Sequence, residues 1–405
     1  MTSPDDTRPA PTFGERVKAA RERKGLTRPV LGGLVGRGPD WVKAIESGRL
    51  HMPRIQMLLR LAEALGVEEL AELTGETRLA RSAYSKNLHA SLTTVRDALV
   101  SYWVTQGSPV AVEDYVTRID GAWRAWHTSQ HERAAIAPML PRLIADGRAS
   151  QHAADDRAHR RQFATQLARV YHLVQLYGSF QPAPEMVYMA SDRAMLTAQD
   201  ADDPAAIAGA AWYANHVWRD AGEAAEARVE LALDVADMLR PGDSTEQRAL
   251  HSLMHLAVAL SHAKTGRSGE AWHHHDEAER AARKLGGYSH PWLMIGTGMV
   301  EHYAVTMHLD LQQPRRALDA ARRISPASID SRTRQSRYLV EVARAHYQLH
   351  EPDAAVFHML KARDRSHDTF EFSLFARSMV AEMLPDPPPA LADDIRDLAG
   401  TLALS

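Results

Sequence analysis

Between residues 12 and 75, apolar side chains recur at helical spacing, but glycine and proline cut the rhythm again and again. Val17, Ala20 and Arg21 fall near one face of FGERVKAARERKG, which predicts a first helix from about Thr12 to Lys24, stopped by Gly25. Thr27 is positioned to cap a second helix running to about Val35. Its Pro29 lies in the first turn, where a missing N–H costs nothing. Gly36 to Gly38 make a turn, and Pro39 opens a third helix that carries Trp41, Val42 and Ile45 until Gly48 ends it. Ile55, Leu58, Leu59, Ala62 and Leu65 then recur at i, i+3, i+4, i+7 and i+10, giving a fourth helix whose apolar stripe closes a small bundle.

Beyond residue 75 the pattern changes. A linker helix region spans 76–107 and includes RSAYSKNLHASLTTVRDALVSYWV, after which long helical segments alternate with short polar breaks. Four breaks look alike: DAGEAAEA ending at Ala227, KTGRSGEA at Ala271, LQQPRRA at Ala317 and LHEPDAA at Ala355, spaced by 44, 46 and 38 residues. An earlier unit with Met186 at the equivalent position lies 41 residues upstream. Helix, Gly or Pro turn, then a second helix opening with a small residue is the pattern of a helical-hairpin repeat, the small residue letting the paired helices approach closely. The periods require long helices or extended loops. The proline stop and amphipathic segment PDPPPALADDIRDLAGTLAL suit a capping helix. The predicted organisation is a disordered tail at 1–11, a helical bundle at 12–75, the linker region at 76–107 and a repeat domain at 108–405.

Composition sharpens this all-α reading. Apolar residues make up 45% of 405 positions and charged ones 24%, while the aromatic share is only 6%, too thin for extensive sheet. No apolar run approaches the ~20 residues of a membrane span, and the polar, proline-rich MTSPDDTRPAP has no signal-peptide core, so a cytoplasmic protein that does not enter membranes is expected. With no cysteine there are no disulfides, thiol nucleophiles or cysteine-type zinc sites. Residues 12–75 hold 11 Lys/Arg against 8 Asp/Glu, whereas 76–405 hold 36 against 41. A small basic module on an acidic body points a polyanion toward the N-terminal end.

Two short helices joined by a tight glycine turn make a helix-turn-helix. The run from Leu26 and Thr27 through Leu31, Gly36, Val42, Ile45, Glu46 and Gly48, followed by Pro53, Leu58, Leu61, Ala62 and Leu65 to Val67, resembles the Cro/cI-type (Xre) helix-turn-helix family over residues 12–75. Arg28 stands where that family usually has Gln. Gly32 and Gly33 replace an Ala and a polar residue, each at a cost of roughly 1 kcal/mol in helix propensity. The resemblance implies a third helix in the major groove of double-stranded DNA, with outward side chains reaching base edges. Those positions are Arg37, Pro39, Asp40, Trp41, Lys43 and Ala44. Lys43 and Arg37 suit guanine or phosphate, Asp40 a cytosine amine, and Arg28 phosphate or guanine, with Arg49 and Arg54 as backbone anchors. Trp41 has a second reading, as a packing residue.

The repeats resemble degenerate tetratricopeptide repeats, so the whole is expected to be an N-terminal helix-turn-helix bundle followed by an α-solenoid of helical hairpins. In such a stack the first helix of each hairpin lines the concave face. Counting back from each turn puts Tyr171, Gln175, Trp212, His216, Arg219, His302, Thr306, Arg344 and Tyr347 there, with Asn215 at the groove's edge. Aromatic walls with a few donors suit a peptide-like ligand. The layout resembles the peptide-sensing RRNPP quorum regulators. That resemblance implies a DNA-binding transcriptional regulator, dimeric with itself, whose operator affinity is set by a signalling peptide or small-molecule effector in the groove.

A reading from a different class remains open: a protein-interaction scaffold whose helix-turn-helix is vestigial or a docking surface. Histidines offer a third, since His251 and His255 share a face four residues apart, with His262 and His273 to His275 nearby. No third ligand has a recognised spacing, so these histidines read as a solvated or packed face and no metal or cofactor is expected. No HExxH, GxSxG, Walker or dinucleotide fingerprint occurs in a fitting context, so no enzyme is expected.

Overall fold

The computed structural model describes residues 11–50, 52–53, 55–75, 86–101, 107–239, 244–325 and 328–404. These are all-α, with no strand among the described residues. The N-terminal bundle comprises α1 (Phe13–Arg23), α2 (Arg28–Leu34), α3 (Pro39–Glu46), α4 (Ile55–Leu65) and α5 (Leu70–Thr74). Its starts are set by local chemistry. Thr12 and Glu15 form a reciprocal capping box on α1, the Thr27 hydroxyl accepts from Val30 N at 3.4 Å, and Pro39 follows the Gly38 cap of α3. Val17, Leu31, Val35, Val42, Ile45, Leu58, Leu61, Leu65 and Leu73 form the core. Leu59, expected on the apolar stripe, is instead exposed. Gly32 is no mere soft spot, because a methyl there would lie 2.6 Å from the Arg37 carbonyl oxygen.

One buried ion cluster ties three of these helices together. Glu46 on α3, with its side chain 2% exposed, takes Arg21 Nε of α1 at 2.5 Å and Arg28 Nε of α2 at 2.8 Å. Burial alone would raise the Glu46 pKa, but the two arginines outweigh it and hold the carboxyl below its ordinary value.

The rest of the chain is a stack of hairpins. It opens with α6 (Leu92–Val100), α7 (Val112–Thr128), α8 (Glu132–Ile136) and α9 (Leu140–Ala153). Six hairpins follow: α10 (Arg157–Gly178) with α11 (Pro184–Ala201), α12 (Pro204–Ala221) with α13 (Ala225–Leu239), α14 (Thr245–Lys264) with α15 (Ser268–Arg283), α16 (Thr297–Asp310) with α17 (Pro314–Ala321), α18 (Arg332–Gln348) with α19 (Pro352–Arg365), and, after the short α20 (His367–Glu371), α21 (Leu374–Met383) with α22 (Ala392–Thr401). Each first helix packs on its own partner and on the first helix of the next hairpin, so the first helices form the inner layer. Met186, Ala271, Ala317 and Ala355 are buried where the second helices begin, as their spacing predicts. At α13 the position slips by one: Ala224 takes a left-handed φ of 51°, Ala227 is exposed, and Arg228 is buried in the small-residue slot.

The expected linker is partly structural. Residues 76–85 and 102–106 lie outside the described residues, but Leu92, Val95 and Leu99 of α6 enter the core of the repeats. The stack also closes on itself. His127 at the end of α7 meets Ser331 Oγ at 2.9 Å and the Trp292 carbonyl at 3.1 Å, while Asn87 Nδ2 donates to the Glu371 carbonyl at 3.1 Å. No described helix is long and apolar enough to cross a membrane.

Removing the Glu46 charge leaves Arg28 without its carboxylate and the buried Arg21 with only the exposed Glu22 at 3.3 Å. Glu46→Gln is expected to cost the bundle about 3 to 5 kcal/mol, read by urea unfolding. Because the folded pKa is depressed, the wild-type advantage is complete above the ordinary glutamate value of 4.5 and is lost as pH falls through the folded one. Equal midpoints for wild type and variant at neutral pH would refute this role.

Candidate functional site

A cavity of about 410 Å³ lies where the inner helices meet the N-terminal bundle. Its repeat-side wall comes from the C-terminal ends of α12 and α14, the lengths of α16 and α18, and α21. The bundle supplies the remaining wall, including Arg37, Trp41, Arg49 and Arg60. The two parts meet backbone to backbone: a Cβ on Gly38 would lie 2.8 Å from Gly266 Cα, so neither turn tolerates a side chain at this approach. Arg60 fastens the edge, donating to the Gly222 carbonyl at 3.2 Å and to Glu223 Oε1 at 2.5 Å. Gly222 and Gly266, the turn glycines of two hairpins, therefore form the seat for the turn between α2 and α3.

Charge dominates the interior. Asp310 at the end of α16, 8% exposed, faces Lys264 Nζ at 3.5 Å and Arg344 Nη2 at 3.8 Å. Burial would raise its pKa, yet Lys264, Arg344, Arg37 and Arg219 outweigh burial and lower it. Burial lowers Lys264 to about 8 despite Asp310. Along α18, Arg334, Arg337, Glu341 and Arg344 succeed one another on the cavity face. Arg334 donates to Tyr303 Oη at 3.1 Å and to the Leu293 carbonyl at 3.2 Å, and Arg344 stacks 4.3 Å over the Phe375 ring. Arg337 has no hydrogen-bond or ion-pair partner among the described residues, and its pKa is lowered by burial and by Arg334. Two carboxyls of the wall are pushed toward neutrality: burial raises Glu341, and it raises Glu382, which accepts from Tyr347 Oη at 2.6 Å, to about 7. Arg133, Arg219, Lys264, Arg334, Arg337 and Arg344 thus face Asp220, Asp310, Glu341 and Glu382, before Arg37, Arg49 and Arg60 of the bundle are added. The lumen is electropositive and suits an anionic group flanked by apolar surface.

Six of the expected groove residues line this cavity: His216, Arg219, His302, Thr306, Arg344 and Tyr347. His216 accepts from Arg219 Nη2 at 2.6 Å, and burial, then Arg219, Arg334 and Arg337, keep the imidazole neutral. His302 stacks on Tyr338 at 4.3 Å. The other four do not line it. Tyr171 is 3% exposed and accepts from Arg148 Nε at 2.8 Å; Gln175 donates to the Tyr213 carbonyl at 2.9 Å; Asn215 donates to the Ala211 carbonyl at 3.1 Å. Trp212 is fully buried, edge-on to His216 and Tyr303. All four pack against neighbouring helices, while the loop 284–296 occupies the N-terminal half of the concave face through Trp292, which meets Trp123 at 5.1 Å and His172 at 5.5 Å. The signal missed in the sequence is the spacing of Arg334, Arg337, Glu341 and Arg344 at i, i+3, i+7 and i+10, a charged stripe where a packed helix normally carries aliphatics.

The proposed DNA-contacting residues divide into three groups. Pro39, Asp40 and Lys43 are exposed. Arg37, Trp41 and Arg49 lie in the cavity wall, with Arg37 lowered in pKa by burial and partly restored by Asp310. Ala44 is 0% exposed, because α3 is covered by both α1 and α2 and its buried arc reaches past Ile45, so the outward reading of Ala44 is corrected. Arg28 is held by Glu46, and Arg54 lies outside the described residues.

This geometry, a glycine turn between α2 and α3 with the exposed start of α3 beyond it, agrees with family comparison: residues 12–74 match the helix-turn-helix domain family. Residues 12–74 are a helix-turn-helix domain. No curated protein is significantly similar to the chain in sequence. Among solved structures, Bacillus thuringiensis PlcR in complex with the peptide PapR7 and DNA shares 12% identity at a TM-score of 0.30, covering 84% of this chain and 98% of PlcR. ComR from S. thermophilus, in complex with DNA and its signalling peptide ComS, shares 13% at a TM-score of 0.26, covering 97% of this chain and 99% of ComR. The family match covers the N-terminal bundle alone, and the cavity adjoins its third helix.

Trp212 and Arg337 separate packing from recognition. Trp212→Ala is expected to lose about 3 to 5 kcal/mol of stability by leaving a cavity in the core. Arg337→Ala is expected to leave the melting temperature unchanged or raised, since it removes a poorly solvated, unpartnered charge. Calorimetry of the two variants checks this; a large loss for Arg337→Ala would mean that the guanidinium is structural.

Proposed function

We propose that the protein is a ligand-controlled transcriptional regulator, active as a homodimer, in which an anionic effector in the cavity and an operator compete for one set of helix-turn-helix residues. The single observation that carries the reading is that Arg37 and Trp41, at the start of α3, also line the cavity. With Gly38 seated on Gly266, the N-terminal turn of α3 cannot enter a major groove. DNA binding therefore requires the domain to lift off the repeats, and lifting it off opens the cavity and removes three of its cations.

Effector and operator are thus linked, and the linkage is reciprocal: whatever an effector does to the docking equilibrium, DNA does to effector affinity by the same factor. The electropositive wall favours a ligand with a carboxylate or similar anion, such as a peptide terminus or an acidic small molecule. A volume of about 410 Å³ accepts a compact ligand in the docked form, and a longer peptide needs the lifted one. Pro39, Asp40, Lys43 and, once released, Arg37, Trp41 and Arg49 are the groove-facing and backbone-facing set. Two-fold pairing of such domains demands half-sites about one helical turn, or a multiple, apart.

Glu223→Lys tests the switch without touching either site, because it turns the exposed Arg60–Glu223 attraction into repulsion. Duplexes selected from a random pool by the full-length protein should bind this variant more tightly in the absence of effector, on the order of fivefold for about 1 kcal/mol. Lys43→Ala should weaken both proteins alike. Equal affinities for wild type and Glu223→Lys, or selection that enriches no duplex at all, would overturn the proposal.

A further inference from the structure

Outside the cavity lumen, the ring of repeats closes where the loop between α7 and α8 meets α20. The Gln130 carbonyl accepts from His367 N at 2.9 Å and Asp368 N at 3.4 Å, and Gln130 Nε2 donates to the Asp364 carbonyl at 2.7 Å. Asp368 divides its carboxylate between two tasks. Its Oδ2 accepts from the backbone N–H of Arg133 at 2.9 Å and of Ala134 at 3.3 Å. Its Oδ1 faces His131 Nδ1 at 3.1 Å and His367 Nδ1 at 3.9 Å. Glu371, one turn further along α20, brings Oε2 to 3.7 Å from the same His367 nitrogen. The ligand atoms of His131, His367 and Asp368 all lie within 4.8 Å of one another. His367 Nδ1 is buried and has no hydrogen-bond partner among the described residues.

We propose that His131, His367 and Asp368, with Glu371 completing the set, bind a zinc-class divalent cation that clamps the two ends of the ring together. Four-coordinate zinc holds nitrogen and oxygen donors at roughly 2.0 to 2.2 Å, which puts neighbouring donors about 3.3 Å apart. The His131–Asp368, His367–Asp368 and His367–Glu371 separations, 3.1, 3.9 and 3.7 Å, lie near that value, and the His131–His367 pair lies within 4.8 Å. Two imidazoles with two carboxylates balance a dication and select zinc over magnesium or calcium, which take oxygen ligands throughout. The two backbone amides on Asp368 Oδ2 aim the other oxygen at the imidazoles, the outer support that metal-ligating carboxylates require.

The location gives the cation a role. His131 and Asp368 stand 237 positions apart in the chain, and Arg133 and Thr369, which follow close behind them, both line the cavity. Between them Glu132, fully buried, accepts from Ser366 Oγ and Thr369 Oγ1, both at 2.6 Å. A cation here fixes the seam at which the cavity's Arg133 wall is joined. A second histidine group, with His255 and His274 Nδ1 atoms 3.0 Å apart and His251 edge-on to His255, includes no carboxylate ligand at such distances among the described residues and serves as the internal control.

The test uses the full-length protein, stripped with a chelator and titrated with zinc chloride by calorimetry, with cobalt(II) absorbance reporting tetrahedral coordination. One zinc per chain and a raised melting temperature are expected for wild type and for a His255→Ala/His274→Ala variant. The His131→Ala/His367→Ala variant should lose at least about 100-fold in affinity together with the thermal shift. His131 and His367 side chains are 58% and 39% exposed, so circular dichroism should show the fold intact in that variant. Absence of stoichiometric binding in wild type overturns the site, as does unchanged affinity in the His131/His367 variant. Neither result depends on DNA binding or on the cavity ligand.

Discussion

Asp310 is the charge on which the cavity depends. It is nearly buried, and Lys264, Arg344, Arg219 and Arg37 all act on it. Asp310 and Glu341, the latter 3.2 Å from Arg344 but pushed toward neutrality by burial, do not fully compensate these cations in a medium where removing charge from water costs several kcal/mol per ion. Asp310 therefore makes the presence of Arg37 tolerable without making the assembly electrically satisfied. Positive charge continues along α18 to Arg334 and Arg337, and burial and then Arg334 lower the Arg337 pKa. A structure of this kind is poised: it holds the helix-turn-helix domain by one cation inserted at the mouth, and it leaves an unfilled requirement for negative charge inside.

The position of that mouth follows from how the ring is filled. A closed stack of helices would leave a channel along its axis, and the 284–296 loop plugs the N-terminal half of it with Trp292 against Trp123, His172 and Tyr213. Gly209 on α12 is part of this fit, because a Cβ there would come within 2.7 Å of the Trp292 ring. What remains open is the C-terminal half, bounded by the ends of α12 and α14 and by α16. The turns that follow two of those helices, at Gly222 and Gly266, are where the domain rests. Plug, cavity and docking seat are consequences of one packing arrangement.

The legible parts of this molecule are those that depend on neighbouring residues. Thr27, Gly38 with Pro39, and the turn at Gly36 mark the helix-turn-helix by chemistry that acts within four positions. The hairpins are legible through the buried Ala271, Ala317 and Ala355 for the same reason. In the cavity, counting back from a turn works for His216, Arg219, His302, Thr306, Arg344 and Tyr347, since a hairpin's inner face is set by its own turn. It fails for Tyr171, Gln175, Trp212 and Asn215 because each packs against a neighbouring helix, meeting Arg148, Tyr213, Tyr303 and Ser261 in turn, and no local pattern carries that information. His131 and Asp368 are illegible for a similar reason: they meet across 237 positions of the chain.

Arg228 shows how a local slip reaches the interface. A left-handed residue at Ala224 delays α13, and the slot that holds alanine in three later hairpins receives an arginine. Burial, then Arg219, lowers its pKa to about 10, and its Nε and Nη1 have no partner among the described residues. An alanine would let the two helices close and would carry no desolvation cost, so the buried Arg228 weakens the seam between α12 and α13. That same hairpin offers Gly222 and Glu223 to Arg60. Local opening free energies differ widely within one protein, and elements that must move belong to the weakly held end of the range. Part of the surface on which the N-terminal bundle rests is therefore built from a hairpin whose seam carries a buried charge.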